Sequence, residues 1–134
     1  MLKQLSIYAE NTKGALHTMT NALYEAGINI WGSVTNDGAE YGINRMVVSD
    51  PDKAKEVLTE KGYLCRFVDV LAVEIEDKPG ALNTLLTALL DSNVNVDYPY
   101  LSFNRDSSTP VMILHTADPE EVEICLRAKG FKMV

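Results

Sequence analysis

The chain has 134 residues, of which 46% are hydrophobic and 23% are charged, as is usual for a globular protein. Its formal net charge of −7 argues against nucleic acid or an anionic membrane surface as the main partner. No stretch reaches the roughly 18 apolar residues of a membrane-spanning helix, and the N-terminus lacks the apolar core of a signal peptide. We therefore expect a cytoplasmic protein with no membrane or nucleic-acid partner.

The sequence contains an internal repeat. Residues 14–30 return 66 places later, and the segments Asp50-Pro51 and Lys61-Gly62-Tyr63 return, the latter as Lys-Gly-Phe, 68 places later. A period of about 67 residues is the size of a small domain and exceeds that of a solenoid repeat. The repeat therefore predicts two domains, residues 1–67 and residues 68–134.

Each half opens with the pattern of a strand, a turn and a helix. Alternating apolar residues at 5–9 and 71–75 have the period of two that predicts a half-buried strand. Gly27 and Asn93 mark the expected helix ends, since both residue types tolerate the left-handed conformation. Between the turns and these helix ends, apolar residues spaced i, i+3 and i+7 predict the helical stripes Leu16, Met19, Leu23 and Leu82, Leu85, Leu89.

Two strands and a second helix complete each half. Asn36-Asp37-Gly38 is a tight-turn signal between the two strands of the first half. Asp50 and Asp118, each followed by proline, predict helix N-caps. The expected strands span 28–34, 41–48 and 63–68 in the first half, and 94–101, 111–115 and 131–134 in the second.

The order of elements in each half predicts the fold class. Strand-helix-strand-strand-helix-strand implies an α+β protein made of two tandem ferredoxin-like domains, each an antiparallel sheet with both helices on one face. No Gly- or Ser-rich linker separates the halves, because residues 63–75 run almost directly from one strand into the next.

The residue types used in catalysis and metal binding form no recognisable constellation. Cys65 and Cys125 are not repeat-equivalent and lack metal-ligand spacing, so we expect buried free thiols. His17 and His115 are likewise unrelated by the repeat. We find no nucleophile–base pattern and no phosphate loop, and expect no metal and no cofactor.

The segment Glu76-Asp77-Lys78-Pro79-Gly80-Ala81-Leu82, with Val94-Asn95-Val96 after the helix, resembles the ACT domain. In the first half, Gly27-Ile28-Asn29-Ile30 matches the pattern that opens strand two in that family. Asn11-Thr12-Lys13-Gly14 departs from it, because proline is usual before the glycine, and Asn93 departs in the second half. The resemblance covers nearly the whole chain as two tandem ACT domains and leaves no room for a catalytic domain.

This resemblance implies a regulatory role. ACT domains typically bind a small ligand, often an amino acid, and regulate a partner enzyme or an attached domain. The ligand commonly lies at an interface between two ACT domains, where it contacts the loop after strand one and the start of strand two. Carried over residue by residue, the ligand-binding positions are Asn11, Gly14, Ala15, Leu16, Asn29, Asp77, Gly80, Ala81, Leu82 and Asn95.

The chemistry of these positions suits an amino acid. Free N–H groups at a helix N-terminus attract a carboxylate, and glycine lets a ligand approach the backbone. Asn11 or Asp77 can accept a hydrogen bond from an ammonium group, and the two sites should differ because only Asp77 is charged. Trp31, two residues beyond Asn29, is either a ligand wall or a core or interface filler.

Other interpretations remain open at this stage. The glycines could serve only the turn, and Asn29 and Asn95 could serve only to cap the preceding helix or to bond the turn backbone. The leading hypothesis is an amino-acid-binding module that acts allosterically on a partner enzyme, and a homodimer stays open. The alternatives are a small ferredoxin-like enzyme and an interaction module that has lost its ligand.

Overall fold

The computed structural model of the chain describes residues 1–36 and 41–134, and the polypeptide packs as two compact units. The first unit is Lys3–Val68, and the second unit is Asp69–Val134 together with Met1–Leu2. The described elements are β1 (Leu2–Glu10), α1 (Ala15–Glu25), β2 (Ile30–Asn36), β3 (Tyr41–Val48), α2 (Pro51–Glu60), β4 (Leu64–Glu74), α3 (Ala81–Asp91), β5 (Tyr98–Phe103), β6 (Pro110–His115) and α4 (Pro119–Ala128).

The predicted α+β fold is confirmed. The first unit contains β1, α1, β2, β3, α2 and the start of β4, and the second repeats this order from the rest of β4 onwards. Strands follow the order β2-β3-β1-β4 in the first unit and β4-β6-β5 in the second. Antiparallel pairing joins β1 to β3, with Leu5 opposite Met46, and β4 to β6, with Leu71 opposite Leu114.

Each unit has its own hydrophobic core between the sheet and the helices. The predicted helical stripes supply Met19 and Leu23 to the first core and Leu85 and Leu89 to the second, all of them fully or almost fully buried. Leu16, by contrast, is 50% exposed, so the first residue of the predicted stripe lies outside the core. None of the described helices is both long and apolar enough to cross a membrane.

The helix ends explain why two strands begin later than predicted. After α1, Gly27 has a φ of 73°, and the amide of Ile28 donates back to the carbonyl of Leu23 at 3.0 Å. After α3, Asn93 has a φ of 56°, and Val94 donates to Leu89 at 2.9 Å. This six-to-one bond is the Schellman motif, which takes Ile28 and Val94 into the helix cap. The strands themselves start at Ile30 in β2 and at Tyr98 in β5.

Three further predictions need correction or fall outside the description. The side chain of Asp50 caps α2 by accepting from the amide of Lys53 at 3.2 Å, but Asp118 makes no such bond at α4. The expected last strand, 131–134, is reduced to a single bridge between Val73 and Met133, because only these few residues reach β4. Within the predicted turn Asn36-Asp37-Gly38, positions 37 and 38 lie outside the described residues.

The different caps of α2 and α4 predict different costs of truncation. Asp50→Ala should lower the free energy of unfolding by about 1 kcal/mol, since the amide of Lys53 loses its acceptor. Asp118→Ala should change it by less than about 0.5 kcal/mol. Urea unfolding followed by circular dichroism measures both, and equal losses would contradict the assignment of a cap to Asp50 alone.

Candidate functional site

Each unit has a cleft at the same place in the repeat: the end of its first strand, the start of its first helix and the end of its second helix. The first-unit cleft has a volume of about 470 Å³ and the second-unit cleft about 370 Å³. Residues 8–10, 12–15, 18 and 61–63 line the first, and residues 74–76, 78, 81, 84, 109 and 130–132 line the second.

The turn into the helix fixes the backbone of each cleft. Gly14 and Gly80 occupy the N-cap positions of α1 and α3 with φ of 82° and 85°, in the left-handed region that favours glycine. A Cβ on either glycine would meet no atom within 4 Å, so the space above them is open. The amides at 16–17 and 82–83 have no acceptor within their own helix, because they belong to the first turn. An anion can therefore approach each helix from its glycine.

The charged side chains differ between the two clefts. In the second unit, Glu74 accepts a hydrogen bond from the Nδ2 of Asn104 and lies 3.4 Å from the Nζ of Lys132, while Lys78 pairs with Glu76. Two glutamates and two lysines thus line that cleft. One glutamate and two lysines, Glu10, Lys13 and Lys61, line the first-unit cleft, which makes it the more cationic of the two.

A smaller cleft of about 280 Å³ brings Asn11 and Leu16 together with the β2–β3 hairpin. Two polar side chains line this cleft from the sheet. Asn44 is 3% exposed, and its Nδ2 donates to the hydroxyl of Thr35 at 2.7 Å. Ala15 lines both clefts of the first unit. The exposed Leu16 therefore lies beside polar groups at the loop, where a ligand could cover it.

In the second unit, only one of the predicted ligand-binding residues of the loop lines the cleft. Ala81 lines the second-unit cleft, whereas Asp77, Gly80 and Leu82 do not. Gly80 nevertheless shapes this cleft, since it is the N-cap residue that directly precedes Ala81. Asp77 is exposed, and Leu82 is 37% exposed.

The predicted strand-two residues lie at the other end of the first helix. Asn29 follows α1, where its amide donates to the hydroxyl of Ser49 and its carbonyl accepts from the amide of Ser49, both at 2.9 Å. Asn95 follows α3, and its Nδ2 donates to Asp97 at 3.2 Å. Trp31 is half-buried in β2. Since an 11-residue helix is about 16 Å long, neither unit brings its own loop and strand-two residues together.

Sequence reasoning missed the contribution of the second helix end. Gly62 and Tyr63 line the first-unit cleft, and Gly130 and Phe131 line the second. The signal was present in the recurrence of Lys-Gly-Tyr as Lys-Gly-Phe, which we used only as evidence of the repeat. No sequence pattern marks Glu74, because only its contacts with Asn104 and Lys132 in the folded chain distinguish it from other glutamates.

Both thiols are free, and the acidic side chains among the described residues do not gather into a metal site. Burial raises the pKa of the Cys65 thiol, while the positive charge of Lys55 acts in the opposite direction, so this thiol is protonated at neutral pH. Cys125 is half-buried and donates to the hydroxyl of Ser92 at 3.2 Å. Among residues 1–36 and 41–134, no group of three or more His, Cys, Asp or Glu side chains could hold a metal ion.

Comparison with known proteins agrees with this architecture. The solved protein BT0572 from Bacteroides thetaiotaomicron is similar over 99% of this chain and 91% of its own, with 29% identity and a TM-score of 0.90. The regulatory subunit of aspartate kinase from Thermus thermophilus, in its ligand-free form, shares 17% identity over 94% of this chain and 88% of its own, with a TM-score of 0.68. The corresponding subunit from Thermus flavus shares 19% identity over 96% and 91%, with a TM-score of 0.62.

No curated protein matches the chain significantly in sequence. The family model described as "ACT domain pair", however, matches residues 1–133, which is nearly the whole chain. That match agrees with the paired units, the order of their elements and the glycine turns described above. The chain therefore belongs to the ACT family, as a pair of ACT domains.

Proposed function

We propose that this protein is a regulatory module that binds an amino acid and acts allosterically on a partner enzyme. The observation that supports this best is the pair of repeat-equivalent clefts at the N-termini of α1 and α3. The two Thermus neighbours share the fold and are named as regulatory subunits of aspartate kinase. The two ACT domains are proposed to be residues 1–67 and 68–134.

The ligand's carboxylate would bind at the start of the helix. In the first unit, Gly14 leaves the backbone accessible, and the amides at 16–17 point out of the helix end towards an incoming anion. Lys13 and Lys61 add positive charge to the same cleft. This combination favours a carboxylate over a neutral group, and it is strongest in the first unit.

The ligand's ammonium group needs acceptors close to that carboxylate site. Asn11 and Glu10 lie where β1 ends, and both line the smaller first-unit cleft. In the second unit, Glu74 and Glu76 line the cleft, while the exposed Asp77 stands at its margin. Because the second unit presents more carboxylates, its cleft should tolerate a more basic ligand than the first.

A cytoplasmic location and a role without catalysis complete the proposal. Cys65 and Cys125 are both free thiols, which suits a reducing compartment. The burial of Cys65, which keeps its thiol protonated at neutral pH, also disfavours this residue as a nucleophile. A partner enzyme would then supply the chemistry that the ligand regulates.

Glycine substitution tests the first-unit cleft. Gly14→Ala should add strain of about 1–2 kcal/mol, because the residue has a φ of 82°. It should also place a methyl group in the open space and so reduce the thermal shift that the best amino acid of a screen produces. Gly27→Ala is the matched control, since φ is 73° there, the space is equally open and no described cleft includes it. Equal ligand responses in the two variants would contradict this site.

The strand-two residues provide a separate test. The side chain of Asn29 forms no hydrogen bond within the described residues, so Asn29→Ala should leave stability nearly unchanged. If the ligand reaches this end of α1, the variant should lose about tenfold in affinity, the value of one hydrogen bond to a charged group. Fluorescence of Trp31, the only tryptophan, reports the titration.

Ser49→Ala is the control for that experiment. It removes the hydroxyl that accepts from the amide of Asn29 and should lower stability by about 1 kcal/mol without lowering affinity. Wild-type affinity in Asn29→Ala would exclude its side chain from the site. A protein that binds a partner but shows no shift with any amino acid would instead be the interaction module without a ligand.

A further inference from the structure

The second unit contains a cavity of about 420 Å³ that is separate from its cleft. The cavity lies between the C-terminal end of α3, the end of β6 and the start of α4, and it shares no lining residue with the second-unit cleft. We call it the α3–α4 cavity. Its lining residues are Ser92, Asn93, Val94, Asn95, Asp97, Thr116, Ala117, Asp118, Glu121, Val122 and Cys125.

The charges around the α3–α4 cavity are all negative. Asp97, Asp118 and Glu121 line it, and no lysine, arginine or histidine does. Asp97 is engaged by the Nδ1 of His115 at 2.8 Å, but the side chains of Asp118 and Glu121 form no ion pair or hydrogen bond within the described part of the chain. The C-terminal end of α3 adds a partial negative charge and the N-terminal end of α4 a partial positive one, so the excess of negative charge comes from the three carboxylates. The cavity therefore favours a cation.

A buried hydroxyl without a partner also lines this cavity. Thr116 is 2% exposed, and its Oγ1 has no hydrogen-bond partner within the described residues. It lies two residues beyond Leu114, which belongs to the core, so both side chains point to the helix side of the sheet. The repeat-equivalent residue is the apolar Val48. An unsatisfied hydroxyl is unfavourable in a core, so Thr116 offers a hydrogen bond to a polar group that enters the cavity.

The first unit shows what occupies the equivalent place. There the Nζ of Lys53 donates to the carbonyl of Ala26, the C-cap residue of α1, at 2.9 Å. The equivalents of these two residues are Glu121 and Ser92, the C-cap residue of α3. The first unit thus places its own ammonium group against the end of its helix. The second has a carboxylate and an open cavity instead.

We infer that the α3–α4 cavity binds a primary alkylammonium group. The ammonium takes the place that the Nζ of Lys53 has in the first unit, and its three N–H donors match three acceptors: the carbonyl of Ser92, the hydroxyl of Thr116 and the carboxylate of Glu121. The alkyl part packs against Val94 and Val122. An organic cation fits better than a metal ion, because the described acidic groups do not converge on one point.

This site is separate from the helix N-terminal clefts, although Asn95, a predicted strand-two ligand position, also lines it, and the probe is chosen to distinguish the cavity from those clefts. n-Butylammonium has no carboxylate and so does not meet the requirements of the helix N-terminal clefts. Calorimetric titration of the full chain at pH 7 should show saturable binding, weakening as salt is added. Equal heats from n-butanol, which lacks the charge, would overturn the inference.

Two substitutions in α4 form a matched pair. Glu121→Lys should abolish binding, because it supplies a tethered ammonium where Lys53 supplies one in the first unit. Glu120→Lys makes the same change in charge at the neighbouring position, which does not line the cavity, and should keep the affinity within about threefold. If both variants lost the same affinity for n-butylammonium, the change in net charge alone would explain the loss. That result would overturn the site.

Thr116→Val copies the first unit and keeps the shape of the side chain. It should fold at least as well as the wild type and bind n-butylammonium about tenfold more weakly, since one bond to a charged group is lost. Unchanged affinity would overturn the role of the hydroxyl and with it the placement of the ligand, even if Glu121→Lys fails to fold.

The same group occurs on free amines and on lysine side chains, so a second probe separates the sources. Nα-acetyl-lysine methylamide presents a primary ammonium from a peptide-like group. Binding of both probes would show a cavity open to protein side chains, and binding of n-butylammonium alone would show one restricted to small amines. Absence of saturable binding with both would overturn the inference.

Discussion

The first helix of each unit is bounded by residues held in the left-handed backbone region, and the clefts and the α3–α4 cavity depend on these turns. Gly14 and Gly80 reverse the chain from the strand into the helix, which leaves the amides of the first helical turn without acceptors beside each cleft. Gly27 and Asn93 close the opposite end. Few residues adopt this conformation without strain, so the turn geometry constrains the sequence at these four positions more than packing does.

The repeat keeps this backbone and changes the side chains around it. Where the first unit places the ammonium of Lys53 against the carbonyl of Ala26, the second has the carboxylate of Glu121. Where the first buries Val48, the second buries the hydroxyl of Thr116. Each unit therefore serves as an internal reference for the other, since the fold is shared and only the chemistry differs.

The sequence was sufficient for properties that depend on short spacings. The order of elements, the burial of Met19 and Leu85, and the left-handed conformation of Asn93 follow from periodicity and residue type. It was insufficient where a backbone bond spans several residues. The apolar pattern placed Ile28 in a strand, but its amide is bonded to Leu23, which pattern alone cannot show. Asp50 and Asp118 also have similar backbone angles, with φ of −140° and −134° and ψ of 85° and 76°, yet only the side chain of Asp50 caps its helix, a difference that the sequence does not show.

The candidate site was predictable only in part, for a related reason. The loop glycines carry a local signature, whereas Tyr63 and Phe131 reach the clefts from the far end of the second helix. A tertiary contact of that kind cannot be recognised from a short stretch of sequence. The separation of Asn29 from its own loop was, in contrast, calculable in advance, because 11 helical residues span about 16 Å.

These distances bear on how ligand binding at the two ends of α3 could be connected. The N-terminal end of α3 presents amides that suit an anion. The C-terminal end presents carbonyls beside Glu121 of α4, and these groups suit a cation. About 16 Å is too far for one ordinary amino acid to contact both ends with its own charged groups. A carboxylate at one end and an ammonium at the other would thus belong to two ligands. Because both would bind the same helix, any effect of one ligand on the affinity of the other must be reciprocal and equal in free energy.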